Sequence, residues 1–291
     1  MIRTLRLLVR CGSLVALLLP LALAAQPRRI VSTAPAATEL LFALGLGDRV
    51  AGVTNYCRYP PEAARIAKVG SFLEPNLEVI AALRPDLVVI IKNPIALAGK
   101  LHLLRLKTLE LDPHTLAGIF DSTVRLARAA GVPERGARLV QSMQAGLGEI
   151  RSRIAGRPKR GMVFIVGRTP GAIEGLVAVG KASYLSELIE IAGGENVFRG
   201  AVSAYPRISL EQMLATNPAV IVDMGDMTDT VNVTEQDKRR VVALWGRYPV
   251  LSAVQHQRVF AVASDIFVVP GPRLVEAARE FARMLHPEAG L

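Results

Sequence analysis

The sequence predicts an α/β protein of two lobes, each with a mainly parallel sheet, joined by a single long α-helix. Three observations carry that expectation. Short β-branched runs alternate with stretches of helical periodicity through both halves of the chain, as βαβ units require. A pattern built around a glutamate occurs twice, 133 residues apart, and leads each time through a proline into an apolar run. Between the halves lies a region with helical pattern and no strand signal. At 291 residues the chain is long enough to bury two cores.

Taken in order, residues 1–24 read as a cleavable signal peptide. Arg3, Arg6 and Arg10 precede the apolar run from Leu14 to Leu23, and Ala22-Leu23-Ala24 offers small residues for cleavage. That run is too short for a membrane span, and nothing after residue 24 approaches ~18 uninterrupted apolar residues. An exported, soluble mature chain is expected. Loss of three arginines takes the formal charge from +10 to +7 and removes Cys11, so Cys57 has no intrachain disulfide partner.

The first lobe is expected over 28–130, with strands at 29–33, 49–53, 87–91 and 108–111 and helices at 37–44, 77–83 and 95–106. Helical pattern then runs through 114–155, broken at Gly131-Val132-Pro133. Proline suits the first turn of a helix, where its missing N–H would have had no partner. The inter-lobe helix, 134–156, would reach about 33 Å at 1.5 Å per residue. A stiff rod of that length bridges two lobes and restricts their opening more than a flexible linker would. The second lobe, 160–288, has strands at 161–166, 220–223 and 258–262 and helices at 182–192, 210–215, 235–245 and 272–285.

The repeated pattern runs from Asn76-Leu77-Glu78 through Ala82 and Pro85 in one copy, and from Ser209-Leu210-Glu211 through Ala215 and Pro218 in the other. Phe72 and Tyr205 match, six residues before each glutamate. Asn76 and Ser209 are good N-caps, which puts Glu78 and Glu211 in first helical turns. A lone carboxylate there favours the helix dipole by about 0.3–1 kcal/mol. A matched pair suits a receptor with matching arginines, which grip carboxylates bidentately.

Candidate ligand contacts are the aromatics Tyr56, Phe72, Tyr205 and Phe267, which follow strands or lie in Gly/Pro-rich connections, together with Asp265. Ligands of open α/β sheets bind beyond the carboxyl ends of the strands, and a flat apolar ligand stacks on such rings. Other polar groups at strand ends are Ser32, Thr33, Asn55, Lys92, Asn93 and Arg168. His102, His114, His256 and His286 are scattered without metal-ligand spacing, and Cys57 reads as a small buried residue. No phosphate-cradling loop and no nucleophile, base and orienter set is present, so neither an enzyme nor a resident cofactor is expected. The basic clusters Lys159-Arg160 and Lys238-Arg239-Arg240 lack interleaved aromatics, which argues against nucleic acid.

Several linked motifs are familiar in combination. These are Ser32-Thr33-Ala34-Pro35 with Thr38-Glu39-Leu40-Leu41, then Asn55-Tyr56-Cys57-Arg58-Tyr59-Pro60-Pro61, and Val69-Gly70-Ser71-Phe72. Asn76-Leu77-Glu78 to Pro85-Asp86-Leu87-Val88, Gly193-Gly194-Glu195-Asn196-Val197-Phe198 and Leu210-Glu211-Gln212 complete the set. In that order the chain resembles the periplasmic substrate-binding proteins of ABC importers, in the cobalamin and ferric-siderophore group, and is most similar to the cobalamin binders. The resemblance implies two Rossmann-like lobes with a ligand between them and limited hinge motion, in a monomer of the periplasm. It implies that Glu78 and Glu211 dock on arginines of the inner-membrane permease, which works with its ATPase. It also implies that Tyr56, Phe72 and Tyr205 line the cleft, with Asp265 and Phe267 opposite. A corrinoid is the expected ligand. Haem, with Tyr56 as axial ligand, or a ferric siderophore, with Arg168 or Arg207, is the alternative, and a secreted α/β enzyme comes last.

Overall fold

In the computed structural model, residues 26–92, 95–225 and 233–291 are described; the expected signal peptide and Asn93 lie outside them. The first half runs β1 (Ile30–Ser32), α1 (Pro35–Ala43), β2 (Val50–Gly52), α2 (Leu77–Ala82), β3 (Leu87–Ile91), α3 (Leu97–Leu103) and β4 (Thr108–Leu111). Its four strands form a sheet in the order β2-β1-β3-β4, all neighbours parallel. Alternation along β3 divides the core between two faces. Leu87 and Val89 pack with α1, while Val88 and Ile90 pack with Ile80 of α2 and Leu101 of α3. A continuous apolar run is what a parallel strand covered on both faces needs.

Two helices follow, α4 (Leu116–Ala129) and α5 (Pro133–Arg153). The second half then runs β5 (Arg160–Gly167), β6 (Leu176–Ala178), α6 (Tyr184–Ile191), β7 (Gly194–Asn196), β8 (Arg207–Ile208), α7 (Leu210–Thr216) and β9 (Val220–Asp223). It finishes with α8 (Glu235–Trp245), α9 (Ser252–Gln255), β10 (Val259–Ala261) and α10 (Leu274–Leu285). The sheet order is β10-β9-β5-β6-β8, with β7 also paired to β5. The β10-β9, β9-β5 and β5-β7 pairs are parallel. The β5-β6 and β6-β8 pairs are antiparallel and add a hairpin edge that the sequence pattern did not reveal. Along β5, Met162, Phe164 and Val166 face α5, α6 and α10, whereas Val163 and Ile165 face Met213 and Trp245.

The join between the sheets involves more than one helix. After β4 the chain crosses to the second lobe, where the His114 carbonyl accepts Tyr184 N–H at 2.7 Å and Glu187 accepts Leu116 N–H at 2.9 Å. Helix α4 then runs back: Leu116 and Ile119 belong to the second lobe's core, and Leu126 and Ala127 to the first lobe's. Helix α5 returns again, from Val132 against the first core to Met143, Leu147 and Ile150 in the second. No helix among the described residues is long and apolar enough to cross a membrane.

Candidate functional site

Both lobes bring their aromatic loops together by tight backbone turns. Gly70 has φ +93° and forms a bridge to Pro75, and a Cβ at Gly70 would stand 2.5 Å from the Glu74 carbonyl. Glycine therefore permits the turn that presents Phe72. In the second lobe Gly180 N–H donates to Ala204 O at 2.9 Å, and an added Cβ would meet Ser203 O at 2.1 Å. That close approach fixes the loop carrying Tyr205. Phe72 and Tyr205 line one cavity of about 300 Å³, with Ala34, Pro35 and Ile91 on the first-lobe side. Pro113 and His114 of the crossover and Tyr184, Val268, Val269 and Pro270 of the second lobe complete most of the wall. The lining is mainly apolar, as sites for flat organic ligands are.

Other candidates fall elsewhere. Tyr56 is 57% exposed on the adjoining turn, held where Asn55 N–H donates to Gly70 O at 2.9 Å, and is not part of the cavity wall. The structure does not bring Phe267 to the cavity either. Its ring is buried, with centroids 5.7 Å from Phe164 and 5.3 Å from Phe281, and its successors Val268 and Val269 line the wall instead. Asp265 is half-buried at the start of the 3-10 turn Asp265–Phe267, near enough to Glu39 to raise the proton affinity of that carboxyl. Ser32, Thr33 and Cys57 are buried, and the Cys57 sulfur lies 3.1 Å from both the Thr38 and Thr54 hydroxyls. Asn55 is exposed.

Arg168 does not reach toward a ligand. Its Nε donates to Asp223 Oδ2 at 2.9 Å, the same oxygen that accepts Trp245 Nε1 at 2.6 Å, and both charged side chains are buried. An anion in the cleft therefore finds this guanidinium already matched. Arg207 is exposed on β8. Lys92 stands 3.6 Å from Asp112, whose carboxylate also receives the His114 ring. The His114 hydrogen bond holds Asp112 below the usual carboxylate range.

Glu78 and Glu211 are exposed in the first turns of α2 and α7. Asn76 accepts Val79 N–H at 3.0 Å, and Ser209 forms a reciprocal capping box with Gln212. The Ser209 hydrogen bond lowers the Glu211 pKa, favouring the anion. In a βαβ crossover the helix begins near the carboxyl ends of the strands. Each glutamate therefore stands at the carboxyl end of its own lobe's sheet.

One arrangement escaped the sequence reading. Arg273, just before α10, grips Glu39 of α1 with Nε 3.0 Å from Oε2 and a second bond from Nη2 to Oε1. The Tyr59 ring lies over the guanidinium at 4.0 Å. A glutamate within the apolar run of α1 was the available signal, because a buried carboxylate calls for a cation.

Comparison with known proteins gives the same picture over nearly the whole chain. A family model described as periplasmic binding protein matches residues 30–266. The chain is 32% identical to the vitamin B12-binding protein of Salmonella typhimurium over 277 residues, 94% of this chain and 96% of that one. Its fold matches the crystal structure of the periplasmic vitamin B12 binding protein BtuF of Vibrio cholerae with a TM-score of 0.75 and 27% identity, covering 91% and 98% of the two chains. The periplasmic heme-binding protein RhuT from Roseiflexus sp. RS-1 shares the fold at a TM-score of 0.73 and 24% identity, over 90% of this chain and 99% of that one. By sequence and by architecture, the chain belongs to the periplasmic binding protein family.

Proposed function

We propose that this protein captures a corrinoid between its two lobes and delivers it to an inner-membrane ABC permease and its ATPase, acting as a monomer in the periplasm. The observation that carries the reading is the mainly apolar cavity lined from both lobes, with Phe72 on one side and Tyr205 on the other. Rings in that position stack on a planar macrocycle, and the polar edge of the ligand stays toward the mouth. The cavity of about 300 Å³ is at the small end for an organic ligand, so a corrin ring seats in part and the lobes part slightly to admit it. The identity to vitamin B12-binding relatives supports the ligand class. Residues 1–24 would serve as the export signal.

Glu78 and Glu211 are assigned to the permease. Both are exposed, both stand in a capped first turn, and each lies at the carboxyl end of its own sheet. Arginines on two permease subunits would meet them with charge-assisted hydrogen bonds. Haem is the second reading, favoured by the Tyr205 phenol in the cavity wall, since phenolates ligate haem iron. Native mass spectrometry of the exported protein, followed by titration with cyanocobalamin and with hemin, tests both. Binding of cyanocobalamin at micromolar concentration is expected; saturation by hemin with no corrinoid binding would replace the first reading by the second.

A further inference from the structure

His114 is the histidine in the cavity wall, and it is held from three directions. Pro113 precedes it and lines the same wall, and the His114 carbonyl accepts Tyr184 N–H at 2.7 Å. Its ring Nδ1 is bonded to Asp112 Oδ1. Lys92, 3.6 Å from the other Asp112 oxygen, adds a second charge beside the carboxylate. With the proton on Nδ1 and donated to Asp112, the lone pair is on Nε2, at the opposite edge of the ring. No hydrogen bond among the described residues engages Nε2. A carboxylate behind an imidazole is the arrangement that orients a metal-binding histidine and raises its basicity.

The surroundings define which metal this histidine suits. Among the described residues no group of three or more His, Cys, Asp and Glu side chains could hold a bare ion. One imidazole is enough for a metal that arrives already chelated in a plane, with an axial position open to exchange. Resting on the corrinoid reading above, we propose that His114 Nε2 is an axial ligand for the metal at the centre of the bound macrocycle. With a cobalt(III) corrinoid carrying water, the cobalt–oxygen bond breaks, water leaves, and the Nε2 lone pair forms the cobalt–nitrogen bond; no electron is transferred and the Nδ1 proton stays on the ring. The site thereby favours cargo with an exchangeable axial ligand over cargo whose axial position is blocked.

Absorption spectra of the exported protein with aquocobalamin and with cyanocobalamin test this. Wild type is expected to shift the aquocobalamin bands as free imidazole does and to leave the cyanocobalamin bands unchanged. His114→Ala should unfold at the same temperature as wild type, which reports an intact fold, yet give unshifted aquocobalamin bands and aquocobalamin affinity about tenfold or more weaker. Asp112→Asn should retain the shift with weakened aquocobalamin affinity. Aquocobalamin bound by wild type with unshifted bands overturns the inference, as does a shift that survives in His114→Ala. A shift lost in Tyr205→Phe but kept in His114→Ala assigns the bond to the phenol and also overturns it. In each of these cases the corrinoid reading stands, whereas wild type that binds neither cobalamin overturns both.

Discussion

Glu39 and Arg273 lie 234 residues apart in sequence and are joined by two hydrogen bonds across the lobes, with the Tyr59 ring over the guanidinium. The Glu39 side chain is 3% exposed and that of Arg273 14%, so neither charge is well hydrated. Burial alone would lower the Arg273 pKa, but the hydrogen bond and charge of Glu39 raise it. The pair therefore acts as a largely buried latch between helix α1 and the start of α10.

Removing the arginine leaves the buried Glu39 carboxylate without its compensating charge. Arg273→Met should destabilise the fold by about 3–5 kcal/mol, whereas the double replacement Glu39→Met with Arg273→Met should cost far less. Urea unfolding of the three proteins checks this. Equal losses for the single and double variants would show that the pair is not what the lobes rely on.

Acidity offers a separate readout of the same carboxylate. Burial raises the Glu39 pKa above its ordinary 4.5, outweighing the Arg273 hydrogen bond. The folded protein thus binds this proton more tightly than the unfolded chain. The contribution of Glu39 is fully present below 4.5 and declines as the pH rises through the raised value. Relative to Glu39→Gln, wild type should gain stability when the pH is lowered from about 7 to about 4. A difference that is flat across that range, or that grows with pH, contradicts the assignment.

The cleft aromatics and the core aromatic should separate cleanly. Phe72→Ala and Tyr205→Ala should each weaken corrinoid binding by roughly tenfold, about 1.4 kcal/mol, with little effect on unfolding. Phe267→Ala should instead cost about 3–5 kcal/mol of stability, because it opens a void beside Phe164 and Phe281. Calorimetric titration and thermal unfolding, run on all three, distinguish the two classes.

For the paired glutamates, Glu78→Ala with Glu211→Ala should leave corrinoid affinity unchanged while abolishing uptake by intact cells. The contact should also weaken with ionic strength, since exposed charges are screened. A matching loss of ligand affinity in the purified double variant would place these residues in the cleft rather than at the permease.

Much of this was readable from the chain itself. The Leu87–Ile91 and Thr108–Leu111 strands were legible to the residue, because apolar runs bounded by turn signals leave few alternatives. The capped starts of α2 and α7 were equally plain from Asn76 and Ser209. Strands β6, β7 and β8 were not, since two or three residues cannot establish a period. Phe267 and Val268 show the limit at the site: adjacent residues point into different environments, and only the packing of Phe164 and Phe281 decides which one meets the cavity. The partner of Glu39 was beyond local pattern altogether, because it lies in the opposite half of the chain.

The back-and-forth course of α4 and α5 bears on how this molecule could be dismantled. Because α4 ends among first-lobe residues and α5 starts there, a single cut at Gly131 would leave two pieces, each holding one arm of the same clasp. Neither half is a self-sufficient module to be excised and expressed alone, for each would lose a helix that its own interior packs against. Co-expressed, the pieces have every reason to reassemble.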